Sequence, residues 1–181
     1  MSEPTLATSD AALEASVVAA LDRAAARYEV LDCDPAFADT TAFCARYGID
    51  PGDSANAILV ATRREPKVHA LCLVLATTRL DVNHVVADLM GVKKLSFASG
   101  EETAQLTGMV LGGVTPFAIP ASLPLYVDAR VVRRPTVIVG GGSRAKKVRV
   151  DPEVFARLPN CRVVEGLAME RPEPAAPSAG D

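Results

Sequence analysis

Tryptophan is missing from this chain of 181 residues, and aromatic residues make up only 4% of it. Any core must therefore be built from aliphatic side chains, and at 49% hydrophobic residues, many of them Ala and Val, there is material for a sizeable one. No run of about 18 apolar residues occurs, which excludes a membrane-spanning helix. Met1 to Asp10 carry acids and no basic segment ahead of an apolar stretch, so no secretory signal is expected and the expected setting is the cytoplasm. Cys33, Cys44, Cys72 and Cys161 contain no C-x-x-C pair, so the spacing needed for zinc or dithiol redox chemistry is lacking. Cys44 and Cys72, in apolar surroundings, read as buried thiols. The two histidines, His69 and His84, fall in a strand-like and a helix-like pattern, with no Ser/His/Asp arrangement and no metal-ligand spacing. A net charge of −3 and a pI of about 5.4 give no global signature of a nucleic-acid binder, although they leave room for a local basic patch.

What the chain does have is glycine in clusters. Gly108, Gly112 and Gly113 stand within six residues and are followed by Val114-Thr115-Pro116-Phe117; Gly140, Gly141 and Gly142 follow further on. Glycine repeated between apolar residues calls for unusual backbone angles or for close approach of backbone to a ligand or another strand. The second cluster follows a strand-like run, as phosphate loops do. It fails the Walker A pattern, because Ser143-Arg144 stands where Lys-Ser/Thr is needed, and it fails G-x-G-x-x-G. A tight turn or bulge is the plainer reading.

The rest of the chain alternates helix and strand signals. A helix runs from Ser9 or Asp10 to about Arg27, and Tyr28 to Cys33 reads as a strand. Pro35 opens a helix through Tyr47 that Gly48 closes. Ala57 to Thr62 and Val68 to Ala76 form an antiparallel hairpin around the charged link Arg63 to Lys67. Asp81 starts a helix that stops at Gly91, and Lys94 to Ala98 is a short strand. Ser99 caps another helix, with Glu102 completing a capping box. Leu125 to Val132, Thr136 to Val139 and Val148 to Val150 read as strands. Asp151-Pro152 starts a last helix, and Arg162 to Glu165 reads as an edge strand. The expected class is α/β (α+β), with a mixed, largely antiparallel sheet surrounded by helices. The expected organisation is one domain over 10–166, with disordered ends at 1–9 and 167–181.

One asymmetry stands out in the charge. Between Arg130 and Arg149 there are seven bases, Arg130, Arg133, Arg134, Arg144, Lys146, Lys147 and Arg149, and no acid. Such a run suits phosphates of a nucleic acid or nucleotide; it equally suits a solvated basic face. Asp128, ending an apolar strand that leads towards the second glycine cluster, either bonds loop N–H groups or faces a ligand.

Several stretches, in order, resemble one family. Gly108-Met-Val-Leu-Gly112-Gly113-Val114-Thr115-Pro116 resembles the "tGy-x-x-GGvsP" loop of the YbaK/EbsC and prolyl-tRNA synthetase insertion-domain family of aminoacyl-tRNA editing deacylases. Tyr28-Glu29-Val30 resembles its first strand, Arg79-Leu80-Asp81-Val82 its "rLDl", Gly91-Val92-Lys93-Lys94 its "lGakk", Tyr126-Val127-Asp128 its "vvD", and Val139 to Arg144 its "vsgGkr" loop. The resemblance covers about Tyr28 to Leu158. It implies hydrolysis of the ester of a mischarged tRNA by a trans-acting enzyme of translation fidelity, with no metal and no cofactor. The implied partners are the aminoacylated 3′ end of tRNA and an aminoacyl-tRNA synthetase.

The resemblance also assigns residues. Gly112 and Gly113, with the Gly140 to Gly142 turn, would aim backbone N–H groups at the carbonyl, where negative charge develops. Gly108, Val114, Thr115, Pro116, Phe117, Asp128 and Ser143 would complete the substrate pocket. Val114 and Phe117 would close it around a small amino acid. Arg133, Arg134, Arg144, Lys146 and Lys147 would hold acceptor-stem phosphates. Two polar positions of the expected pocket depart from the pattern, one losing a charge and one reversing it. Asn56 stands where the family's "vvKTLv" strand carries lysine, and Lys147 stands where an acid is common. A neutral amide in place of an ammonium leaves two readings: a working site in which Asn56 contacts the aminoacyl group, or a paralogue that binds a tRNA end or an aminoacyl-adenosine-like ligand without hydrolysing it.

Overall fold

Leu13, Val17 and Leu21 recur every fourth residue and are all buried, so the first helix presents one apolar face to the interior. The computed structural model of the protein describes residues 9–172. In chain order the elements are α1 (Asp10–Arg23), β1 (Tyr28–Asp32), α2 (Thr40–Tyr47), β2 (Ala55–Thr62), β3 (His69–Leu75), β4 (Thr78–Leu80), α3 (Ala87–Met90), β5 (Leu95–Phe97), α4 (Gly100–Thr107), β6 (Leu125–Asp128), α5 (Ala129–Val132), β7 (Val137–Gly140), β8 (Lys146–Val150), β9 (Cys161–Val164) and β10 (Ala168–Glu170). A wider turn over Val82–Val86 leads directly into α3.

The strands form a five-stranded sheet of order β5-β2-β3-β6-β9, a three-stranded sheet of order β1-β8-β7, and the pair β10-β4. Only β3–β6 and β6–β9 are parallel among the paired strands, so the sheet is mixed and mostly antiparallel, as expected. β3 is apolar throughout because both faces of the large sheet are covered. Leu71, Leu73 and Leu75 join α1 and the small sheet in one cluster, while Ala70, Cys72 and Val74 join the Val82–Met90 helix in another. The two sheets meet where Ser54, just before β2, bridges Ile138 of β7. That seam positions the candidate site.

Several boundaries differ from the sequence reading, each for a local reason. The helix expected from Pro35 through Tyr47 is a single 3₁₀ turn over Pro35–Phe37 followed by α2, because Asp39 is extended and interrupts it. The strand expected over Leu125 to Val132 stops at Asp128, whose carboxylate accepts from Arg130 N at 2.8 Å and caps α5. The last helix is a 3₁₀ run, Pro152–Arg157. The capping box at Ser99 is half made: Ser99 Oγ accepts from Glu102 N, but the Glu102 carboxylate turns to His69 Nε2 at 2.8 Å. That bond holds its pKa below the usual carboxylate range. Order also runs past the expected domain end at 166, because Leu167 is fully buried and β10 pairs with β4. Residues 1–8 and 173–181, where the disordered ends were expected, lie outside the described residues.

Asp128 itself is a structural acid. It is buried, and its second oxygen accepts from Ala168 N at 2.8 Å while Arg130 lies 3.5 Å away. Asp128→Ala removes a helix cap and leaves one buried and one part-buried N–H group without acceptors. The expected loss is about 2 kcal/mol, read as a lower urea-unfolding midpoint at unchanged slope.

Candidate functional site

A cavity of about 70 Å³ opens at the seam between the sheets. Its apolar walls are Ala55 and Ala57 of β2, Ile138 and Val139 of β7, and Leu111 and Val114 of the first glycine loop. Thr40, Ser54, Asn56, Gly112, Gly140 and Lys147 complete the lining. Among the described residues, Lys147 is therefore the only ionisable side chain on its wall.

Asn56 is half-buried near the start of β2, opposite Val74. Its Oδ1 accepts from Thr40 Oγ1 at 2.5 Å, so Thr40 orients the amide and leaves the Nδ2 donors free of protein acceptors. Lys147 reaches the cavity from the other sheet. Its strand alternates, with Val148 and Val150 in the main core, so Lys147 points to the opposite face, opposite Gly140 in register. There its Nζ donates to Ala38 O at 2.6 Å and to Gly112 O at 2.9 Å, and it lies 5.4 Å from the centre of the Phe43 ring. Burial pushes its pKa below the ordinary lysine value, and the nearby Arg144 charge acts in the same direction. Two of its three N–H groups are bonded to carbonyls, which leaves one donor.

Arg144 holds the same wall from outside. Its guanidinium donates to Pro35 O at 2.9 and 3.1 Å and to Leu111 O at 2.8 Å, with Asp39 at 3.2 Å. Lys147 and Arg144 thus tie the segment around Ala38 to the first glycine loop. No thiolate serves the site: burial raises the pKa of all four thiols, to about 12 at Cys72 and about 11 at Cys161. Among the described residues no group of three His, Cys, Asp or Glu side chains is placed to hold a metal ion.

The family model for an aminoacyl-tRNA editing domain matches residues 34–158, well over half of the chain. The chain belongs to the aminoacyl-tRNA editing domain family. The editing domain shares its fold with solved structures. The hypothetical protein APE2540 is 21% identical with a TM-score of 0.75, covering 85% of this chain and 99% of that one. A protein described as a candidate trans-editing enzyme for prolyl-tRNA synthetase is 24% identical with a TM-score of 0.71, covering 87% of this chain and 97% of that one. At these identities the likeness is one of fold. The family's substrate class is aminoacyl-tRNA.

Of the residues assigned from the sequence of this editing domain, Asn56, Gly112, Val114 and Gly140 come together at the cavity. Others do not line it. Gly108 is the left-handed residue that ends α4. Phe117 stacks on Phe155 in the core at 5.9 Å, and it and Pro116 line a separate hollow with Ala20 and Ala24 instead of closing the cavity. Thr115 is fully buried, and its Oγ1 has no partner. Ser143 donates to Glu14 at 2.5 Å and accepts from Ala145 N.

The backbone donors are also largely engaged. Gly113 N donates to Val110 O, Gly141 N to Lys146 O, and Gly142 N to Gly113 O, at 2.9, 3.1 and 2.9 Å. What the two glycine loops approach closely is each other. A Cβ at Gly113 would fall 2.7 Å from Ser143 C, and one at Gly140 would strike the Val114 carbonyl.

The basic run is mostly neutralised. Arg130 faces Asp128, Arg133 pairs with Glu165, Arg134 with Asp53, Arg144 with Asp39, Lys146 with Asp32 and Arg149 with Glu29. Lys147, expected among the phosphate-contacting bases, is instead buried at the cavity. Sequence reasoning overlooked Thr40, hidden inside the expected helix; Lys147, which it places both at a changed polar position of the expected pocket and among the phosphate-contacting bases, lines the cavity. For the lysine a signal existed, because period-two alternation puts Lys146 and Lys147 on opposite faces.

Proposed function

We propose that this editing domain hydrolyses the ester of a mischarged tRNA in trans, and that the ester carbonyl sits between Asn56 and Lys147. The observation that carries this reading is a buried ammonium with one free N–H that shares with an oriented amide the lining of a small cavity of mixed polar and apolar walls. Attack of water on an aminoacyl ester puts negative charge on the carbonyl oxygen. Fixed donors in a desolvated site stabilise that charge more than they stabilise the neutral ester. Lys147 Nζ and Asn56 Nδ2 are the side-chain donors for it. No carboxylate, imidazole or thiolate lines the cavity to take the proton of the water. The ribose hydroxyl next to the ester is the group this arrangement leaves as a proton relay: it takes a proton from the attacking water as it gives its own to the ester oxygen, which departs as the other ribose hydroxyl while the acyl group leaves as the free amino acid.

A cavity of about 70 Å³, walled by Ala, Val, Ile and Leu beside the uncharged polar side chains of Thr40, Ser54 and Asn56, suits a small, uncharged amino-acid side chain. The expected result with a panel of mischarged tRNAs is hydrolysis of the smallest aminoacyl esters, falling by about 10-fold or more for each added pair of methylenes as the cavity overfills. Asn56→Ala is expected to lower kcat/KM about 10- to 100-fold with the fold intact, read by loss of label from the tRNA. Wild-type protein that binds tRNA but releases no amino acid from any member of the panel would overturn the hydrolase reading. The non-catalytic binding paralogue would then stand, with Asn56 in the lysine position as its mark.

A further inference from the structure

Uncompensated positive charge lies at the far end of β2, away from the neutralised 130–149 run. There a groove of about 620 Å³ is lined by the β2–β3 link and by the segment that follows α3. Arg63, Arg64, Lys93 and Lys94 line it, all four are exposed, and none forms an ion pair among the described residues. The acid of the link, Glu65, accepts from Lys67 N at 3.0 Å, and Lys67 lies 3.9 Å from Glu102. The backbone that carries the two arginines is held in place. Thr62 Oγ1 donates to Arg64 O at 3.2 Å and accepts from Val68 N at 3.0 Å, and Thr62 N donates to Val68 O.

The groove and the cavity lie at opposite ends of β2. Asn56 and Thr62 have the same parity on the strand, and Val60 between them is buried under the Val82–Met90 segment, so the two sites are the open ends of a covered face. At about 3.3 Å per residue, the six steps between them span about 20 Å. The unpaired 3′ end of a tRNA separates its aminoacyl ester from the first phosphates of the duplex by a length of this order. We propose that Arg63, Arg64, Lys93 and Lys94 hold phosphates of the tRNA acceptor end whose ester occupies the Asn56–Lys147 cavity. This rests on the proposed function for the ester and relocates the nucleic-acid face from the 130–149 run to the β2–β3 groove. Phosphate contacts of this kind set affinity and register without reading bases.

The test compares a full-length aminoacyl-tRNA with the same amino acid esterified to adenosine alone. Arg63→Gln with Arg64→Gln, and Lys93→Gln with Lys94→Gln, are expected to raise KM for the tRNA about 10-fold or more per pair, with the loss confined to the long substrate. The salt dependence of tRNA binding is expected to flatten by about one unit of slope per lost contact. The reference is Arg133→Gln with Arg134→Gln, which removes two bases already paired to acids and is expected to change KM less than 3-fold. An unmoved KM in the groove variants, an equal loss on the adenosine ester, or a larger effect from the reference pair would overturn the proposal. If the wild type hydrolyses neither substrate, the deacylase reading fails by itself. Binding of uncharged tRNA at low salt then decides the groove: loss in the groove pairs upholds it, and undiminished binding overturns it.

Discussion

Lys147→Gln is expected to lower kcat/KM for aminoacyl-ester hydrolysis by about 10²–10³-fold, with most of the loss in kcat, because it removes the one cation facing the developing oxyanion. Glutamine keeps an N–H that can reach Ala38 O or Gly112 O, so the wall of the cavity keeps part of its tie. The stability change at neutral pH is expected to be small, since a buried ammonium carries a desolvation cost that its replacement relieves. The pH dependence separates a charge role from a tethering role. Burial holds the Lys147 pKa below the ordinary lysine value. If the ammonium is the working form, the enzyme-catalysed rate, after subtraction of spontaneous hydrolysis, falls as pH rises through that lowered pKa, and the limb is absent in Lys147→Gln. The stability sign is the opposite. With a folded pKa below the unfolded one, the folded state releases its proton first, so the wild type gains stability relative to the variant as pH rises from the folded towards the unfolded value. A variant with wild-type kcat, or a rate limb that survives the substitution, removes Lys147 from the chemistry.

Most of the fold follows from periodicity. Leu13, Val17 and Leu21 mark α1, and the unbroken apolar run of β3 marks a strand covered on both faces. Gly48 and Gly91 mark the helix ends they form. The boundaries that escaped detection turn on single acids whose effect is local hydrogen bonding rather than pattern. Asp128 looks like the end of a polar-tipped strand until its carboxylate is seen to cap α5, and Asp39 breaks a helix that Ala, Phe and Cys would otherwise continue. The site was legible only in part because its members come from elements far apart in the chain. Asn56 and Gly112 could be named from motifs. Thr40 matters only because Asn56 Oδ1 lies beside it, and Lys147 only because the segment around Ala38 and Phe43 covers its face of β8. The charge run misled for the same reason: a count along the chain shows seven bases and no acid, whereas their partners Asp32, Asp39, Asp53 and Glu165 come from elsewhere in the sequence.

The glycine loops give the second large effect. Gly140→Ala is expected to destabilise the protein by about 3 kcal/mol, at the upper end of overpacking costs, because the added methyl meets backbone rather than a side chain that can swing away. The Val114 carbonyl carbon would be 2.8 Å from it and Gly113 O 3.0 Å. Gly91→Ala is the comparison. Nothing lies within 4 Å of a Cβ there, so only its φ of +66° is at stake, and the expected cost is about 1 kcal/mol. Urea midpoints at equal slope measure both. The contrast decides what these glycines are for. A glycine kept only to admit a ligand would lose activity on substitution while the apo protein stayed as stable as before; one kept to let two loops touch loses stability first. Activity should follow here as well, since Gly140 lies opposite Lys147 in register and Val114 is a wall of the cavity. The Gly113→Ala, Gly140→Ala double variant adds a sharper expectation. A single separation of the loops relieves both clashes, so the double cost should fall short of the sum by about 1 kcal/mol. Strict additivity, or a Gly140→Ala protein no less stable than Gly91→Ala, would mean that the loops do not depend on their mutual contact.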